Sequence, residues 1–229
     1  MTTPIPDDKS CLLLVEGADD EAFFSQLVSR LNHPQASQLH IMTYGGKDQL
    51  SERLREYMRD PNFKHISRLG IVRDQDFNTH AFNSVLTHIR RANRRNTRKL
   101  PYPKYPRQLS IGYPQVAVLL LPSDDREGML EDLVLDMVSE DPIMACVENY
   151  FCCLKEKQVD IQHNMDRLPK AKVRVFVNGK NVERKNSNRK EATRISLQYI
   201  FTARWWQEAF WDHVCLKQAK AFLSHLLAP

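Results

Sequence analysis

Carboxylates stand at three places where a short apolar run ends, and in that setting they can hold a hard cation. In Val15-Glu16-Gly17-Ala18-Asp19-Asp20, Glu16 leaves a strand, Gly17 permits a sharp turn and Asp20 enters the first turn of a helix. Four residues span about one helical turn, so Glu16 and Asp20 can converge on one point, with Asp19 as the helix cap. In Arg73-Asp74-Gln75-Asp76-Phe77, two acids lie two apart after Leu69-Gly70-Ile71-Val72. On extended chain their side chains face one way, roughly 6–7 Å apart, and repel unless a cation or proton lies between them. The third group is Glu131-Asp132, opening a helix after Leu121-Pro122; Asp124 and Asp125 read as loop and cap residues. Oxygen donors with no histidine nearby suit Mg²⁺ or Mn²⁺ better than zinc. Five carboxylates, Glu16, Asp20, Asp74, Asp76 and Glu131, could hold two ions roughly 4 Å apart, the arrangement used in phosphodiester cleavage.

Alternating elements must position these groups. Strands are expected at Cys11–Val15, His40–Tyr44, Arg68–Arg73 and Gln115–Leu121, the first and last carrying the longest apolar runs, Cys11–Val15 and Val116–Leu121. Amphipathic helices are expected at 19–31, 47–59 and 79–95, with another after Pro122. Strand–helix alternation with near-continuous apolar strands predicts an α/β fold, a mainly parallel sheet flanked by helices. Ligands of such sheets bind at the carboxyl ends of the strands, where all three acidic groups fall. Residues 1–10 read as a flexible N-terminus and 11–140 as the α/β domain. From 141 to 229 the chain reads as a mostly helical extension, ending in one long amphipathic segment from Arg204 to Leu227.

The composition is that of an ordinary globular chain: 229 residues, 42% hydrophobic and 27% charged. Thirty-three Lys and Arg against 28 Asp and Glu leave a net charge of +5, too little alone to imply a polyanionic partner. Its distribution is more telling. Arg90, Arg91, Arg94, Arg95, Arg98 and Lys99 crowd into ten residues, Lys104 and Arg107 follow, and no acid interrupts them. Four prolines between Pro101 and Pro114 prevent regular structure, and Tyr102, Tyr105 and Tyr113 interleave. A basic, aromatic-sprinkled insertion over about 90–114 can follow a phosphate backbone and stack on bases. Five cysteines without a Cys-x-x-Cys pair read as reduced thiols in a cytoplasmic protein, and no apolar run is long enough to span a membrane. The eight histidines form no cluster, and no Ser-His-Asp or Cys-His arrangement stands out.

Taken together, Glu16-Gly-x-x-Asp20 after one strand and Asp74-x-Asp76 after a later one resemble the Toprim domain of topoisomerases, primases and OLD-type nucleases. Gly45-Gly46-Lys47 and Gly128-Met-Leu-Glu131-Asp132 look most like the nuclease branch and small stand-alone Toprim proteins. The resemblance covers about Cys11 to Val138. It implies a Rossmann-like parallel sheet, divalent metal at the five carboxylates with Glu16 also catalytic, and nicking or cleavage of DNA or RNA, with a role in phage defence. It also implies a lysine near the metals from a later helix, for which Lys170 and Lys172 are the candidates, with Lys190 behind them. No Walker A motif is present, so an ATPase of the kind larger relatives carry would be a separate subunit. Self-association is open.

Two other readings compete with a nuclease. A non-catalytic Toprim module would bind nucleic acid or an ATPase partner, with Trp205, Trp206 and Trp211 as interface anchors. A phosphatase or nucleotidyl transferase would use the same carboxylates on small substrates, which need no eight-cation arm.

Overall fold

Four apolar runs form the strands β1 (Cys11–Val15), β2 (Leu39–Thr43), β3 (Arg68–Asp74) and β4 (Gln115–Leu121). They pair in parallel throughout, in the order β2-β1-β3-β4. The computed structural model describes residues 4–76, 80–159, 167–183, 196–203 and 206–228. Helices α1 (Ala18–Arg30), α2 (Leu50–Arg59) and α3 (Ala81–Arg94) follow the first three strands. After β4 come α4 (Leu130–Met137), α5 (Pro142–Glu156), α6 (Leu168–Glu183), the short α7 (Leu197–Ile200) and α8 (Glu208–Trp211), and α9 (Lys217–Leu227). The result is the expected α/β, Rossmann-like architecture, a parallel sheet flanked by helices.

Strand alternation divides the core in two. Leu12, Leu14, Leu69, Ile71, Val116, Val118 and Leu120 pack with α2 and α3 on one face. Leu13, Val15, Val72, Ala117, Leu119 and Leu121 pack on the other with α1, α4, α5, α6 and α9. Residues beyond 141 thus share a hydrophobic cluster with the sheet. Gly70 shows how closely the two are packed. A Cβ there would stand 2.7 Å from Leu13 Cδ1 and 2.8 Å from Leu226 Cδ2, so only hydrogen fits between β3 and α9. Arg68 fastens the same helix by donating to the carbonyls of His225 and Ala228.

The expected continuous helix from Arg204 to Leu227 is broken. Among its described residues it comprises α8, a 3-10 turn over Val214–Leu216, and α9, with His213 Nδ1 accepting from Cys215 N. Val214, placed on the apolar stripe by spacing, is 75% exposed. Trp206 and Trp211 are not surface anchors either: both are buried, in an aromatic cluster with Phe23, Phe201 and Phe210. Indole rings packed among core neighbours are withdrawn from any partner. Trp205 lies outside the described residues. Among those residues no helix is long and apolar enough to cross a membrane.

Candidate functional site

The carboxyl edge of the sheet gathers the acidic groups by ordinary local rules. Glu16 follows β1 directly, and its carbonyl accepts from the N–H groups of Gly45 and Gly46, 3.0 and 3.1 Å away. Both glycines have φ in the left-handed region, +80° and +99°, which lets the loop after β2 fold over the end of β1. Lys47 is thereby carried to 3.7 Å from Asp76 Oδ2. Asp20, buried in the first turn of α1, accepts from Gly17 N at 3.0 Å. Asp20, not Asp19, therefore caps α1, because the helix begins one residue earlier than its pattern suggests. Asp19 instead accepts from Gln198 N at the start of α7.

Asp74 ends β3, and its Oδ1 accepts from Leu130 N, the first residue of α4, at 3.1 Å. Asp76 bridges to Gly128 through reciprocal backbone bonds of 2.7 and 2.8 Å, with its own φ at +50°. Gly128 is required there. Its φ is +138°, and a Cβ would lie 2.6 Å from Asp132 Oδ2, the oxygen that caps α4 through Met129 N. Between Asp74 and Asp76, buried Gln75 donates to the carbonyls of Ser123 and Asp124 and fixes the loop after β4. Glu131 completes the edge from the first turn of α4.

Charge at this edge is unbalanced. Burial, then the charges of Asp20, Glu16, Glu131 and Asp76, push the Asp74 carboxyl well above the usual carboxylate range. Burial is also the main cause at Asp20, opposed by the Gly17 N–H and reinforced by Glu16 and Glu131; that carboxyl rises from 3.8 to about 7. Burial raises Glu131, partly offset by Lys170. Beneath the cluster lies the fully buried Tyr44, whose hydroxyl donates to Val72 O at 2.8 Å. Burial, then the Glu16 charge, keeps that phenol protonated.

Three cations enter this edge. Lys170 Nζ of α6 reaches 3.9 Å from Glu131 Oε1, whereas Lys172 is turned to Glu148 at 2.7 Å. Two residues apart on a helix point about 200° apart, so only one of the two lysines can face the carboxylates. Lys190 lies outside the described residues. The third cation, which the sequence did not mark as a site residue, is Arg73. Its guanidinium, almost fully buried, lies 3.2 Å from Glu16 Oε2 and 3.6 Å from Asp76 Oδ2. A signal for it does exist in the sequence: a cation closing a strand whose same-face neighbours Leu69 and Ile71 are apolar demands carboxylate partners.

Each candidate ligand has one carboxylate oxygen engaged within the protein. Glu16, Asp76 and Glu131 face cations, while Asp20 and Asp74 are turned onto backbone N–H groups. Among the described residues no group of three or more Asp, Glu, His or Cys side chains is disposed to hold a metal ion. The donor chemistry, oxygen only, still fits Mg²⁺ or Mn²⁺.

The basic residues lie elsewhere. Arg90, Arg91, Arg94 and Arg95 are exposed at the end of α3, Arg98 lies over the Phe63 ring at 5.7 Å, and Lys99 Nζ donates to the carbonyls of Asn93 and Asn96. Because α3 runs back antiparallel to the strands, this cluster sits at the amino edge of the sheet. Arg90 to Arg95 lie about 14–21 Å along α3 from its start at the carboxylate edge. Arg107 alone turns back, pairing with Asp124 at 2.5 Å.

A family model described as a protein of unknown function, DUF3226, matches residues 10–227. The chain belongs to the DUF3226 family. No curated protein and no solved structure matches it. The DUF3226 match runs from the start of β1 to the end of α9, so it takes in the carboxylate edge, the basic arm and the helices that close the sheet.

Proposed function

We propose that the protein is a divalent-metal-dependent phosphodiesterase acting on nucleic acid. The observation that carries this reading is Asp74, partly buried and held by Leu130 N, its carboxyl raised by burial and by four neighbouring carboxylates. Five acids meet three cations, Arg73, Lys47 and Lys170, at the end of a parallel sheet, where ligands of such folds bind. Glu16, Asp20, Asp74, Asp76 and Glu131 would hold Mg²⁺ or Mn²⁺. When bound, such ions polarise a phosphoryl oxygen and lower the pKa of water. Arg73, released from Glu16 and Asp76, presents a planar fork to a phosphate, and Lys170 adds a point charge beside it. Asp20 Oδ2 keeps its bond to Gly17 N, which leaves Oδ1 for the ion.

The test is cleavage of supercoiled plasmid, single-stranded DNA and a tRNA pool in Mg²⁺, Mn²⁺ and EDTA. Metal-dependent cutting is expected, lost in Glu16→Ala and Asp74→Asn while both variants stay folded by circular dichroism. Full-rate cutting by either variant sinks the proposal. The cation-paired carboxylates favour a second reading, a nucleic-acid-binding module without turnover that acts alone or with an ATPase subunit. Binding unchanged by EDTA, with no cutting in any metal, selects it.

A further inference from the structure

We infer that the end of α3 and the loop after it form a docking surface for single-stranded nucleic acid, at the opposite edge of the sheet from the carboxylates. Between Phe77 and Ser123 the chain has no Asp or Glu, so the cations of this stretch meet no acid on their own segment. Among the described residues, Arg90, Arg91, Arg94 and Arg95 have no acidic partner, and all four are exposed.

The surface is built rather than loose. Asn93, buried on α3, exchanges hydrogen bonds of 2.8 Å with the N–H and carbonyl of Leu100 and donates to the Tyr102 hydroxyl at 3.1 Å. Leu100 is buried beneath. Farther on, Arg107 N and Ser110 N donate to Val118 O and Val116 O, fastening the loop along the edge of β4. Tyr113 OH donates to Lys64 O at 3.3 Å, which ties the loop to the turn leading into β3.

On this frame three rings face outward: Tyr102 is 47% exposed, and Tyr105 and Tyr113 are each 58% exposed. Lys104 Nζ stands 5.4 Å from the Tyr105 ring centre. Cations that neutralise phosphates beside rings that accept unstacked bases are the two components of single-strand binding. A duplex could use only the first, because its bases are already stacked. An anionic membrane is disfavoured because α3 turns its apolar residues Val85, Ile89 and Ala92 inward and leaves no apolar face beside the cations to enter a bilayer.

Placement adds a length requirement, and this part rests on the proposed cleavage at the carboxylate edge. The 14-residue α3 holds the two edges about 21 Å apart, farther than a dinucleotide reaches even when extended. A strand shorter than that cannot touch both.

Fluorescence anisotropy with labelled (dT)20 in EDTA tests the docking surface directly. Wild type is expected to bind with a steep salt dependence. Arg94→Ser/Arg95→Ser is expected to bind at least tenfold more weakly, with a log–log salt slope shallower by about 1.4, at about 0.7 for each phosphate left without its arginine. Tyr105→Ala is expected to bind fivefold or more weakly with the slope unchanged. Lys155→Ser/Lys157→Ser, which removes an exposed cation pair at the end of α5, should bind like wild type. The inference is overturned if the arm variants bind like wild type, if a 20-bp duplex binds more tightly than (dT)20, or if polyglutamate competes equally well. In Mn²⁺, (dT)20 should be cut with a much higher kcat/KM than (dT)2, and equal values also overturn it. Binding of (dT)20 with no cutting of any oligomer keeps the docking surface and refutes the phosphodiesterase.

Discussion

Replacing Asp20 by Asn measures what the crowded carboxylates cost the fold. Its carboxyl is raised from 3.8 to about 7 on folding, chiefly by burial. Below pH 3.8 both folded and unfolded chains hold the proton, and the charge costs nothing. As pH rises from about 4 to 7 the unfolded chain releases it while the folded protein retains it, so stability falls. Above 7 both are ionised and the loss is constant. At about 1.36 kcal/mol for each tenfold change, the full loss is about 4 kcal/mol. Asn removes the charge yet keeps an oxygen for the Gly17 N–H, so the cap survives. The variant is therefore more stable at pH 8. Shared repulsion with Glu16 and Glu131 lets neighbours relax, and half the full figure is a fair expectation. At about 2–4 °C per kcal/mol that is a Tm gain of about 4–8 °C. Scanning calorimetry with chelator present, from pH 4.5 to 8.5, should show the gap opening as pH rises. A gap as large at pH 4.5 as at 8, or none at 8, would refute the electrostatic account. Mn²⁺ at pH 8 should then raise the wild-type Tm by more than that of the variant.

Three further outcomes follow from packing and geometry. Gly70→Ala forces a methyl against Leu13 and Leu226, and should cost about 1–3 kcal/mol in denaturant unfolding and speed proteolysis in α9. Lys180→Met leaves Asp141, now 2.6 Å from the Lys180 ammonium, as an unpaired buried charge. The expected loss is about 3–5 kcal/mol, read by urea titration, and a loss below about 1 kcal/mol would contradict it. Lys170→Ala should lower cleavage and Lys172→Ala should not, a contrast that equal rates for the two variants would remove.

The sheet was legible because its strands are covered on both faces. Cys11–Val15 and Val116–Leu121 are uninterrupted apolar runs, and the strands expected on them, Cys11–Val15 and Gln115–Leu121, coincide with β1 and β4 to the residue. Each carboxylate was legible for a related reason, since it follows the apolar run that ends at the sheet edge. Their counter-charges were less so. Lys170 approaches Glu131 only because α6 docks on α4, which joins segments almost forty residues apart. Spacing alone left Lys170 and Lys172 equivalent. The break between α8 and α9 was hidden because a local stripe of Trp206, Phe210 and Val214 mimics one helix, while the real partners of Trp206 and Trp211 include Phe23 of α1 and Phe201 just after α7.

The seating of α9 against Gly70 also sets an order of events during synthesis. Phe222 and Leu226 close a face of β3 that was translated some 150 residues earlier. At roughly 5–20 residues per second, that face waits about 8–30 s on the ribosome for its cover. Meanwhile Leu13, Val15, Val72, Ala117 and Leu119 can present an apolar sheet surface to water or to a chaperone. Gene fusions that separate the strands from α9 would prolong that exposure indefinitely, so aggregation, rather than a quiet loss of activity, is the expected fate of a chain cut before it.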